Sequence, residues 1–131
     1  MITILVDCNM EGQASLLWDT LVKEGWHELL PVQMVMFKDV DLALDSVDRY
    51  VWRFAQANQM ILLTDNRSSN EEESLEQTIR QENTSNSLPV LTIGNVSRVI
   101  EKDYRIRCIE RLVEIVMDLD NYMGTARIFI P

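Results

Sequence analysis

Two acids stand where short apolar runs stop: Asp7 after residues 2–6 and Asp65 after residues 60–64. Each run has the length of a buried strand, and in an open α/β sheet the carboxyl ends of the strands border the crevice that takes ligands. Asp48, in the first turn of the helical stretch leading into residues 60–64, adds a third carboxylate. Three carboxylates around one cleft repel one another. A Mg2+ or Mn2+ ion would relieve that repulsion, bridge phosphate oxygens and activate a water for in-line attack. These residue types point to metal-dependent phosphodiester hydrolysis, with Asp7, Asp48 and Asp65 as catalytic carboxylates and ion ligands. Arg67, next along the chain, either holds a substrate phosphate or neutralises Asp7 and Asp48 in place of a metal. A plainer reading makes acids at strand ends and helix starts ordinary caps; joint placement around one cleft is what favours chemistry.

For those acids to meet, strands and helices must alternate. Residues 1–7 read as a strand, and residues 13–23 as a helix with Leu16, Leu17, Leu21 and Val22 at helical spacing, stopped by Gly25. A second strand is expected over residues 29–37, with Pro31 at its beginning. The next helix is expected to start from Asp45 as N-cap, with Val47, Tyr50, Val51, Phe54 and Ala55 as its apolar stripe. After the strand at 60–64 comes a polar connection through Glu71, Glu72 and Glu73, read as a solvated loop and helix start, then a helix over about 72–81. Residues 89–93 form a strand, Ser97 caps a short helical piece, residues 104–119 form a long helix and Arg127–Ile130 a last strand. The sum is a single domain over residues 1–131 of α/β class. It is a three-layer α/β/α sandwich on a mainly parallel sheet of about five strands, with right-handed crossovers.

Composition narrows the function classes. The 131 residues, 47% hydrophobic, allow one domain with a proper core. A net charge of −9 excludes a basic nucleic-acid-binding module, although a bound divalent ion would reverse the sign of an acidic site locally. The opening apolar run reaches an acid after six residues and lacks a basic leader, so a cytoplasmic protein is expected. With two cysteines and His27 alone, zinc spacing is absent. A Cys8–His27 nucleophilic pair stays open beside the preferred reading of Cys8 as a packing residue. No glycine-rich phosphate cradle exists among the four glycines. Seven methionines and three tryptophans exceed what a small core needs, and a homodimer is the default expectation.

The strand ending in Asp7, the helix closing on Gly25-Trp26-His27, the stretch from Asp48 to Ala55 and the run Met60-Ile61-Leu62-Leu63-Thr64-Asp65-Asn66-Arg67 together resemble the short bacterial PIN-like proteins. The resemblance covers roughly residues 1–67, and the stretches 74–80 and 87–93 look like an uncharacterised subgroup carrying Thr-x-Asn-Arg. It implies a PIN-like fold, a metal-dependent ribonuclease acting on RNA, and acids at the positions of Asp7 and Asp48. It also implies a protein partner such as an antitoxin, since toxins of toxin–antitoxin pairs belong to the family. A further family acid falls two residues after the threonine, where this chain has Asn66, so the resemblance implies Asn66 as an uncharged oxygen ligand of the ion, with Asp65 beside it. A catalytically degenerate PIN-fold protein acting through a partner is therefore the alternative. A weaker resemblance to receiver domains rests on acids after the first and third strands and on Thr92; that family pairs acids after strand one, where Asp7 is followed by Cys8, and has a lysine after strand five, where only Arg127 precedes the last strand.

Overall fold

The computed structural model describes residues 1–66 and 74–131. Five strands, β1 (Ile2–Val6), β2 (Val32–Val35), β3 (Met60–Thr64), β4 (Val90–Ile93) and β5 (Arg127–Ile130), pair in parallel in the order β2-β1-β3-β4-β5. The apolar runs of β1, β3 and β4 follow from this architecture, because helices cover both faces of the sheet there and residues 4–6, 61–64 and 90–93 are buried on either side. Helices α1 (Glu11–Lys23) and α5 (Lys102–Met117) pack on one face, where Ala14, Leu17 and Leu21 join Ile4, Val6, Leu63, Ile93, Ile109 and Leu112. On the other face α3 (Asp48–Ala57) and α4 (Leu75–Glu82) lay Val51, Trp52, Ala55, Leu75 and Ile79 over Leu5, Leu62 and Val90. Each fully buried Leu or Ile contributes about 1.5–3 kcal/mol relative to exposure. The three-layer α/β/α arrangement is the expected one.

Several boundaries differ from the sequence reading. The second strand is confined to Val32–Val35, because residues Trp26–Leu29 form a short helix, α2, entered through Gly25 at φ +82°. His27 lies on this helix. The N-cap of α3 is Val47, whereas Asp45 lies in the preceding turn. Since Val47 is a cap, the buried face of α3 is Val51, Trp52 and Ala55, and Tyr50 is left 56% exposed. Helix α4 begins at Leu75 with Ser74 as its cap, Ser74 Oγ accepting from Gln77 N–H at 3.2 Å. Asn95, not Ser97, caps the 3-10 turn Val96–Ile100. The long last helix runs Lys102–Met117 and gives way to a 3-10 turn at Leu119–Tyr122.

Crossover handedness is mixed. The sheet advances in one direction from β3 to β4 to β5, yet α4 and α5 lie on opposite faces, so the two crossovers have opposite hand. Uniformly right-handed crossovers do not hold. The connection over residues 94–126 starts as the 3-10 turn Val96–Ile100 packed on α1, which delivers the chain to the α1 face before α5 begins. As a result, among the described residues no helix covers β5 on the α3–α4 side, and Phe129 there is 50% exposed. No helix among the described residues is long and apolar enough to cross a membrane.

Candidate functional site

Parallel pairing of β1 with β3 sets the site. Val6 is in register with Leu63, and Asp7 N–H donates to Leu63 O at 2.9 Å, which brings Asp7 beside Thr64 at the carboxyl edge of the sheet. This edge is also where the chain switches: the connection from β1 leaves towards β2 on one side, and β3 lies on the other. In open α/β sheets such a switch point opens a crevice. A cleft of about 230 Å³ does lie there, lined by Asp7, Cys8, Leu44, Asp48 and Asn66 among others.

Hydrogen bonds hold the acids in place. Fully buried Thr64 donates through Oγ1 to Asp7 Oδ2 at 2.7 Å and accepts the Asn66 N–H at 3.0 Å, so one hydroxyl orients the carboxylate and tightens the turn leaving β3. Asp48 Oδ2 accepts from Asn66 Nδ2 at 3.0 Å and from the Leu75 N–H at 3.1 Å. The second bond satisfies an orphan amide in the first turn of α4, where a negative charge is also favoured by the helix dipole. Asp48 is thus both a wall of the cleft and a cap for the neighbouring helix. Asp65 acts on Asp7 through its charge, while the residue that reaches Asp48 is Asn66.

Burial pushes the Asp7 carboxyl above its ordinary value; the Thr64 hydrogen bond opposes this, and the charges of Asp48 and Asp65 add to the rise. Burial and the adjacent Asp7 also raise the Cys8 thiol, so Cys8 is not an activated thiolate. Its Sγ points to Leu44 O at 3.6 Å. His27 precedes β2 and so lies at the amino edge of the sheet, opposite to Cys8, which rules out the Cys8–His27 pair. Cys8 packs half-buried against the α3–α4 core beside the cleft, and the fully buried cysteine is Cys108, whose thiol burial pushes up to about 11.

Among the described residues no group of three or more His, Cys, Asp or Glu side chains gathers closely enough to hold an ion. The donor set in the cleft is a carboxylate pair, Asp7 and Asp48, with the Asn66 carboxamide beside it. That set fits a hard cation of the magnesium type, which uses one or two protein carboxylates and completes its shell with water and phosphate oxygens. Arg67 and the acids Glu71, Glu72 and Glu73 lie outside the described residues.

Two residues of the site were not assigned to it from sequence. Thr64 reads as one more residue of an apolar strand until its register beside Asp7 is known. Arg127 opens β5, and its Nη1 donates to the Asn66 carbonyl oxygen and, at 2.8 Å, to Thr92 Oγ1. Thr92 is fully buried within β4, so it and Arg127 meet as a structural pair below the edge. Only strand order could reveal that contact. No family model, curated protein or solved structure matches this chain.

Proposed function

We propose that this chain is a PIN-like, Mg2+- or Mn2+-dependent ribonuclease whose cleft between β1 and β3 takes a phosphodiester of RNA. The observation carrying this reading is the convergence of Asp7 and Asp48 on one cleft at the carboxyl edge, close enough for the charge of Asp48 to raise the Asp7 carboxyl. Carboxylates held together against their own repulsion are what a cation site needs in advance. Asp7 and Asp48 would hold the ion, which when bound supplies positive charge for the phosphate and an acidified water. Thr64 keeps Asp7 oriented, the Leu75 N–H and Asn66 amide keep Asp48 oriented, and the charge of Asp65 acts on Asp7. A cytoplasmic location, an antitoxin-like partner and a homodimer belong to the same proposal.

A second reading, a degenerate PIN fold acting through a protein partner, is favoured by one feature. The Asn66 side chain presents an amide hydrogen to Asp48, where the family resemblance expects an acid. Calorimetric titration of Mg2+ and Mn2+ into the wild type, with Asp7→Asn as control, separates the two. The nuclease reading expects millimolar or tighter binding that Asp7→Asn weakens at least tenfold, followed by cleavage of RNA in preference to single-stranded DNA. Absence of ion binding by the wild type removes it and leaves the partner-mediated reading.

A further inference from the structure

Arg127 has more positive charge facing inward than its contacts use. Only Nη1 is bonded among the described residues, to Asn66 O and Thr92 Oγ1, while Nε and Nη2 are buried with no hydrogen-bond partner there. Buried guanidinium groups ordinarily have a carboxylate against them, since an unpaired buried charge is costly. Here the acids acting on Arg127 are Glu76 in the first turn of α4 and Asp48 across the cleft wall, neither in salt-bridge contact with it. The bonded carbonyl belongs to Asn66, whose side chain donates to Asp48. Arg127 is therefore linked to Asp48 through the single residue Asn66.

Resting on the reading of Asp7 and Asp48 as the cation ligands, we propose that Arg127 is a resident counter-cation of the cleft. It supplies part of the positive charge that a divalent ion would otherwise bring, and so sets how weakly the ion binds. The geometry that carries this is a guanidinium tied to the Asn66 backbone, with two buried nitrogens unbonded and its charge felt by Asp48. Arg127 touches neither carboxylate, so it is a positioning residue and not a ligand. Its effect is electrostatic and has a definite sign: removal of the charge strengthens cation binding, whereas damage to a merely structural residue would weaken it.

The test is Mn2+ affinity, measured by calorimetry and by the free-ion electron paramagnetic resonance signal, for the wild type, Arg127→Gln and Arg127→Lys. Far-UV circular dichroism and thermal melting check that each is folded. Gln removes the charge while keeping a polar amide on a shorter stem, and Lys keeps the charge; both lose the Nη1 bonds to Asn66 O and Thr92 Oγ1, so the pair isolates the charge. The expected result is tightening on the order of tenfold for Arg127→Gln and an unchanged affinity for Arg127→Lys. If the wild type binds and Arg127→Gln binds no more tightly, the counter-cation role is overturned while the nuclease reading stands. If the wild type binds nothing and Arg127→Gln does bind, the role stands and the nuclease reading falls. Failure of both to bind overturns both. Should Arg127→Gln not fold, Arg127→Met, which fills the same space with an apolar stem, serves as the neutral variant.

Discussion

At the scale of single residues, Asp7 shows how a strand-end acid becomes a titrating group. Its carboxyl is raised from 3.8 mainly by burial, with Asp48 and Asp65 adding to the effect. Between the ordinary value and the raised one, the folded protein keeps a proton that the unfolded chain has released. Unfolding in that window releases the proton, so the Asp7 contribution to stability falls as pH climbs through it and levels off above. Urea unfolding from pH 3.5 to 7 should accordingly show wild-type stability falling relative to Asp7→Asn, which cannot titrate and still accepts the Thr64 hydrogen bond. Parallel stability curves for the two proteins across that range would contradict the assignment. The residue types of this site were legible in the sequence, as were the two strand-end positions. The Thr64 bond was not, because a hydroxyl in an apolar run carries no local sign of what stands opposite it.

At the scale of elements, the α3–α4 pair is organised from both ends. Arg49 and Arg53 of α3 clasp Glu82 at the end of α4, with N–O distances of 2.7 and 2.8 Å. At the other end Asp48 takes the Leu75 N–H while Ser74 caps from within. An Asp48→Ala variant loses a cap as well as a charge in the cleft. It should cost about 1–2 kcal/mol in urea unfolding, the range for N-cap deletions. Asp7→Asn should be at least as stable as the wild type at pH 7, so the two substitutions separate the structural duty of Asp48 from the shared electrostatic one. A stable Asp48→Ala protein would show that α4 is held by Ser74 and packing alone. The apolar spacing of α3 pointed to a helix, and Val51, Phe54 and Ala55 do face the core, but Trp52 packs inward where Val47 and Tyr50 were expected to and instead face outward. Spacing alone leaves neighbouring stripes nearly equivalent until a core exists to choose between them.

At the scale of the whole molecule, the site depends on where β5 docks. The turn before β5 passes Gly124 at φ +80°, where an added Cβ would stand 2.9 Å from Ser85 Cα. Gly124 N–H bonds Ser87 O at 2.8 Å, and Asn83 Nδ2 bonds Gly124 O at 3.1 Å. This close approach fixes the entry of β5 and, three residues on, the position of Arg127. Gly124→Ala combines an unfavourable φ with a backbone clash and should cost about 1–3 kcal/mol or more, read as a lower urea midpoint. The loss should extend to hydrogen-exchange protection of β5, and a midpoint equal to the wild type would mean that the turn can shift without strain.

Sequence by itself determined the five strands, the helices α1, α3, α4 and α5, their order and the acids at their ends, because hydrophobic period and turn chemistry are written in neighbouring residues. Tertiary structure decided which acids share a cleft, that α5 crosses to the α1 face, and that Arg127 reaches Asn66 from 61 residues away. Those outcomes depend on strand order and on competition among packed faces. Both are properties of the assembled sheet, and no short stretch of the chain contains them.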